Sequence, residues 1–314
     1  MELNKKQKIL YRIIHSLFYV ISLLPLKLLY VISDMVCPFV YFYRSKLVRQ
    51  QLTECFPEKS LKEIKHIEHA FYHQFCDTFV EMIKQFSMSR EEMMRRMVFV
   101  NSDEACASFN SEQNILFLML GHYANWEWIA SLQYWTPGVY CSQVYHPLTD
   151  DVFDQIFLDL REQYGGECIP MRKTLRRLVQ LNAEGKPVIC GMIADQQPRW
   201  NAIHHFCQFL GHESAVFIGT EQIAKKLNAL VYYGSVTRVK RGYYQCRLIP
   251  VTLNPQEMTD YQLTDKYMGL LEADIRKHPE MWLWTHKRWT RTNEEWEERQ
   301  IRVESEESRV KSEE

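Results

Sequence analysis

From residue 114 onward, short apolar runs alternate with stretches of helical period, and this alternation limits the possible fold more than any other feature of the chain. "NILFLML" (114–120), "GVYCSQVY" (138–145) and "PVICGMIA" (187–194) have the length and apolar content of buried strands, and "ECIPM" (167–171) reads as a shorter one. Between them, Tyr123–Tyr134, "DDVFDQIFLDLREQYG" (150–165) and the basic stretch Arg172–Ala183 read as helices. Strands separated by crossover helices imply an α/β sheet. A polar loop, Asp195–Glu213, then leads to a predicted helix "AVFIGTEQIAKKLN" (215–228). Two further strands, "ALVYYGSV" (229–236) and "YYQCRLIPV" (243–251), are expected to pair around Lys240–Gly242, and another helix leads into "HPEMWLWTHKRW" (278–289). Upstream, Lys46–Phe86 reads as helical, with apolar residues at Leu61, Ile64, Ile67, Phe71, Phe75, Phe79 and Ile83 and a capping box at Ser60/Glu63.

The N-terminal segment is of another kind. Ile9–Phe42 is mostly apolar but is broken by Arg12, His15, Lys27 and Asp34. Its uninterrupted part, Ser16–Leu26, is shorter than the roughly 20 residues of a spanning helix, so a single span over Ile13–Val36 requires Lys27 to snorkel. Lys5, Lys6 and Lys8 precede the segment and Arg44, Lys46 and Arg49 follow it, so the positive-inside rule selects no orientation. A helix or helix pair lying in the bilayer interface fits at least as well as one span. No A-x-A-like cleavage pattern is present, and a removed signal peptide is not expected. The expected organisation is a membrane-anchoring segment at 1–45, a catalytic domain at 46–292 and a charged tail at 293–314. The tail carries nine acidic and four basic residues and is expected to be a solvated helix fading into disorder.

Several function classes are disfavoured. With 38 basic and 39 acidic residues the chain has no global basic field for nucleic acid. Nine cysteines without a C-x-x-C suggest reduced, buried thiols, as neither a disulfide framework nor a zinc ribbon is indicated. There is no Walker loop, no G-x-G-x-x-G and no G-x-S-x-G, which disfavours NTPase, dinucleotide-enzyme and serine-hydrolase readings. His66, His69 and His73 share a helix face, but Ala70 follows His69 where a zincin has glutamate, so the face reads as a polar stripe. No metal or other cofactor is expected.

Three constellations remain. In "LMLGHYANWEW" (118–128), His122 follows a strand end and Glu127 lies five positions on. Strand carboxyl ends are where α/β sheets place ligand sites. Five residues of regular helix turn the two side chains about 140° apart, so they can meet only if His122 lies outside the helix, as Gly121 allows. A carboxylate holding one ring N–H leaves the other nitrogen as a base. Spacing alone favours the plainer alternative, two polar groups at a helix start. In "MIADQQPRW" (192–200), Asp195 emerges from a second strand end, and Arg199 suits a phosphate or carboxylate. Finally, Arg161, Arg172, Lys173, Arg176, Arg177, Arg238, Lys287, Arg288 and Arg291 lie among aromatic residues, a pattern that suits anionic lipid headgroups.

These blocks together resemble the bacterial lipid A biosynthesis (late) acyltransferases, from the apolar N-terminus to about Arg291. "GHYANWE" is similar to that family's H-x4-[DE] block. "VYHPLTDDVFDQIFLDLREQYGGECIP" resembles its "YRP" segment, "GMIADQQP" its "DQ" block, "FLGHESAVFIGTEQIAKKLNALVYYGSVTR" its "FFG" block and "HPEMWLWTHKRW" its terminal tryptophan-rich block. The resemblance implies a glycerophosphate-acyltransferase-like mixed α/β sheet flanked by helices, with an N-terminal membrane-associated segment. It implies transfer of a fatty acyl group from an acyl-carrier-protein or acyl-CoA thioester to a hydroxyl of a lipid A precursor or related glycolipid. The site is expected at the inner membrane, facing the cytoplasm. His122 is then the general base and Glu127 its partner. Asp195, Gln196, Arg199 and Arg161 belong to the acceptor or phosphate site, with Arg238 a weaker candidate for the same surface. His146 stands where the family has the arginine of "YRP", and a histidine is partly neutral near pH 7. That departure leaves open a less phosphorylated acceptor, such as an amino-acid lipid or another glycolipid. A non-catalytic lipid-binding protein with the same fold, and a thioesterase-like hydrolase, are the alternative readings.

Overall fold

The computed structural model describes residues 3–301. Four helices come first: α1 (Lys5–Ser22), α2 (Leu26–Val40), α3 (Ser45–Cys55) and α4 (Leu61–Lys84). Asn4 with Gln7 and Ser60 with Glu63 form the capping boxes that start α1 and α4. Pro25 stands at the start of α2, and the chain turns by 108° between α1 and α2. No single helix among the described residues is long and apolar enough to cross a membrane; α1 and α2 reach that standard only together, as a bent pair.

The bend is tied down by polar contacts from α4. Lys84 Nζ donates to the carbonyls of Ser22 and Leu24 at 2.8 and 3.2 Å. Ser33 of α2 donates to Asp77 at 2.8 Å, and Tyr30 donates to Glu81 at 2.6 Å. The buried face of α4 thus carries Asp77, Glu81 and Lys84, while two residues of the expected apolar stripe, Leu61 and Phe79, face outward. Burying ionisable groups is costly unless they are bonded, and each of these three has its partners. The outer faces of α1 and α2 expose Ile13, Leu17, Val20, Val31, Met35 and Phe39.

After α4 come α5 (Arg90–Arg96), β1 (Met97–Phe99), α6 (Ser102–Cys106), β2 (Ile115–Leu120), β3 (Tyr140–Tyr145), α7 (Asp151–Glu162), β4 (Glu167–Pro170), α8 (Thr174–Ala183) and β5 (Val188–Ile193). A hairpin, β6 (Phe206–Phe209) and β7 (His212–Ala215), interrupts the stretch expected to be a polar loop. Then follow α9 (Gly219–Leu227), β8 (Leu230–Lys240), β9 (Tyr243–Thr252) and α10 (Gln262–Lys277). The main sheet has seven strands in the order β1-β9-β8-β2-β5-β3-β4. All its pairs are parallel except β8–β9, the expected hairpin. It is therefore the expected mixed α/β sheet flanked by helices.

Gly242 turns the β8–β9 hairpin at φ +75°, and an added Cβ there would collide with the Tyr30 hydroxyl. Every residue of β2 is buried, which is why it reads as a continuous apolar run. Helix α1 lies on α7, with Gln7 bonded to Asp151 and Tyr11 to Asp159. Residues 293–301 are helical, and the remainder of the charged tail lies outside the described residues.

Candidate active site

The parallel register of β2 and β5 builds the site. Leu120 pairs with Ile193, so the residues two positions beyond each strand end, His122 and Asp195, come side by side. Asp195 Oδ1 lies 2.7 Å from His122 Nδ1. Its Oδ2 accepts the His122 backbone N–H at 2.9 Å and the Trp282 indole N–H at 2.8 Å. Gly121 makes this approach possible. A Cβ there would meet Leu271 at 2.7 Å and lie 3.5 Å from Asp195 Oδ2.

Beyond His122 the chain does not enter the expected helix. Tyr123 forms an isolated bridge with Trp282, Ala124 adopts a positive φ of 53°, and a 3-10 helix begins only at Glu127. Asn125 Oδ1 accepts the Trp128 backbone N–H at 3.0 Å and closes the turn. Two backbone bonds, Ala124 N–H to Met281 and Leu283 N–H to His122, lay the C-terminal segment along it. His122 is outside any helix, as expected, yet its hydrogen bond goes to Asp195 and not to Glu127. Glu127 is instead gripped by Arg161 from α7, with Nε and Nη2 at 2.9 and 2.7 Å, and by the Trp126 indole at 3.1 Å. The turn points the glutamate toward α7, whereas strand adjacency gives the histidine to Asp195.

The electrostatics follow from this arrangement. Burial penalises the imidazolium of His122, but attraction and hydrogen bonding from Asp195, helped by Glu127, outweigh it and raise the ring above its usual 6.5. Burial also opposes ionisation of Asp195, yet His122, Trp282 and the His122 backbone N–H bring it down to about 2. Burial acts most strongly on Glu127 and raises it, but Arg161, Trp126 and His122 together bring it below the usual carboxylate range, so it too stays ionised. The result is two buried carboxylates with different partners, around one imidazole. With its Nδ1–H donated to Asp195, His122 has Nε2 as its acceptor nitrogen.

His122, Glu127 and Arg161 line a cavity of about 690 Å³. Its buried walls include Leu118, Leu120, Ile129, Leu132, Cys141 and Ile189, and its exposed residues include His146, Arg172 and Arg199. Gln196 lines it as well, with its amide 3.5 Å from the His122 ring. The His146 ring lies 2.9 Å from the Pro147 carbonyl. Two expected acceptor residues lie elsewhere. Asp195 is 1% exposed and is occupied with His122 and Trp282. Arg238 does not line the cavity and donates to Gln74 of α4.

Sequence reasoning missed Trp282, which lies in the quoted terminal block but had no assigned role, and Asn125. It also missed Asp195 as the histidine's partner. The usable signal was positional, because both residues follow the ends of buried strands. Comparison with known proteins adds one result. The family model described as bacterial lipid A biosynthesis acyltransferase matches residues 2–291. No curated protein matches the chain.

Proposed function

The chain belongs to the bacterial lipid A biosynthesis acyltransferase family, and on that premise we propose that it moves a fatty acyl group from a thioester to a hydroxyl of a lipid A precursor or related glycolipid. Family membership makes it an acyltransferase that uses an acyl donor and a lipid acceptor. The observation that carries the finer reading is the His122 ring, held at Nδ1 by Asp195, on the wall of a cavity with an apolar interior and cationic residues on its exposed side.

In this reading His122 Nε2 takes the proton of the acceptor hydroxyl as its oxygen attacks the thioester carbonyl. The tetrahedral intermediate collapses, expelling the thiolate, which recovers a proton from the imidazolium. Asp195 fixes the tautomer and stabilises the imidazolium. The Glu127–Arg161 pair keeps a guanidinium beside the reacting centre, where its remaining N–H groups can meet the developing oxyanion. The buried apolar walls take the acyl chain. Arg172 and Arg199 take acceptor phosphate. The exposed histidine at 146 supports an acceptor with less charge at that point than an arginine would demand. The donor is acyl-carrier protein, with acyl-CoA the alternative.

The protein is membrane-associated in this reading, at the cytoplasmic face of the inner membrane. Support comes from the exposed apolar faces of α1 and α2 and from the lysines at 5, 6 and 8. Because α1 lies on α7, the helix that carries Arg161, the interface would be close to the site. The test is mass spectrometry of products formed by the purified full chain from an acyl thioester and candidate lipid acceptors. His122→Ala should abolish transfer while folding is retained. Turnover at the wild-type rate in that variant would refute the mechanism, and free fatty acid as the sole product would point to hydrolysis.

A further inference from the structure

Glu81 accepts hydrogen bonds both from α2 and from the turn that carries His122 and Glu127. It lies on α4, fully buried, outside the cavity. Its Oε1 accepts the Tyr30 hydroxyl of α2 at 2.6 Å. Its Oε2 accepts the Asn125 side-chain N–H at 2.6 Å and the Tyr244 hydroxyl of β9 at 2.9 Å. The backbone of the same residue receives the Trp128 indole N–H at 3.3 Å. Asn125 in turn caps the Trp128 backbone N–H, the bond that shapes the chain between His122 and Glu127. Gly242 admits the Tyr30 hydroxyl by having no side chain. None of these residues lines the cavity, so the general-base mechanism does not account for them.

We propose that Glu81 is a positioning residue for the His122–Glu127 turn and that it couples this turn to the seating of α2. The coupling has a physical basis. A buried carboxylate costs less when all its donors are present, so the three donors are held together or lost together. If α2 shifts outward, Tyr30 leaves, and the carboxylate, short of a donor, swings away from its place beside the turn. Asn125 then loses its acceptor, and the turn no longer presents His122 and Glu127 on fixed bearings. Seating of α2, whose outer face is apolar, thereby becomes a condition for catalysis. Asp77 lies on the same helix as Glu81, and Arg241 of the β8–β9 turn pairs with both Asp77 and Asp34 of α2.

The inference rests on the acyltransfer reading, and the test separates the two. Steady-state kinetics of the purified full chain in mixed micelles are measured for wild type, Glu81→Ala, Glu81→Gln and Tyr30→Phe. Amide hydrogen exchange of 121–128 is followed in parallel. Glu81→Ala should lower kcat about tenfold or more, with KM for donor and acceptor changed less than about twofold, because orientation fails while the cavity is intact. Glu81→Gln keeps an oxygen for Asn125 and should recover most of that loss. If Glu81→Ala does not fold, Tyr30→Phe removes only one hydroxyl and should still lower kcat about two- to fivefold and speed exchange in 121–128. Unchanged kcat and exchange in Tyr30→Phe, or a loss confined to KM, would overturn the coupling. No turnover by wild type would count against the acyltransfer reading, and the exchange data alone would then decide the coupling.

Discussion

Replacing Asp195 with asparagine changes one atom of a carboxylate that serves three donors. Two of them, the His122 backbone N–H and the Trp282 indole, converge on Oδ2, and the imidazole meets Oδ1. Asparagine has one acceptor oxygen. If that oxygen takes the Oδ2 position, the amide NH2 faces Nδ1, and the histidine must carry its proton on Nε2, where it cannot act as a base. If the amide flips, the working tautomer returns but two buried N–H groups face an NH2. Each unsatisfied buried donor costs about 1–3 kcal/mol, so the productive arrangement lies about 2–6 kcal/mol above the other, a loss of about thirtyfold to 2.5 × 10⁴-fold in rate. Comparable tautomer errors in other enzymes fall within that window. The assay is single-turnover acyl transfer by Asp195→Asn, with its thermal unfolding measured alongside. A folded variant within about threefold of wild type would refute the assignment of Asp195 as the histidine's partner.

Three more predictions follow from the same geometry. The rate should rise with pH through a value above 6.5, because the base must be neutral and Asp195 favours its charged form; Asp195→Asn should move that limb to lower pH, as a pH profile of kcat/KM will show. Arg161→Met leaves Glu127 buried without its cation and should destabilise the fold by about 3–5 kcal/mol in denaturant titrations, whereas adding Glu127→Gln should restore part of the loss. Phe39→Glu, at a side chain 78% exposed on α2, should leave thermal stability unchanged but weaken vesicle binding about tenfold or more in flotation assays; equal binding would remove α2 from the membrane contact.

Where the chain's local signals dominate, the sequence was a sufficient guide. The strand at 115–120 is buried throughout and that at 188–193 over most of its length, and their short continuous apolar runs identify them. The Ser60 capping box and the β8–β9 hairpin are likewise local. What escaped is set by tertiary neighbours. The order of strands decides that Asp195 stands beside His122, and no run of residues encodes that order. The region after Gly121 has helical composition, but bridging to Trp282 and the positive φ of Ala124 hold it in a turn. On α4, Asp77, Glu81 and Lys84 look like a solvated face until α2 is laid over them. The His122 base candidate was legible because it follows a strand, whereas Glu127 was paired with the wrong neighbour because Arg161 reaches it from a helix distant in sequence.

The segment from Met281 to Leu283 sets an order in time. It supplies the Trp282 donor to Asp195 and two backbone bonds to the catalytic turn. A ribosome releases α1 and α2 well before this segment, and a chain folds as it emerges. A growing polypeptide therefore displays the apolar faces of α1 and α2 well before the His122–Asp195 pair gains its Trp282 donor. On the proposed reading, the apolar faces that would meet a lipid surface are therefore made before the site can turn over.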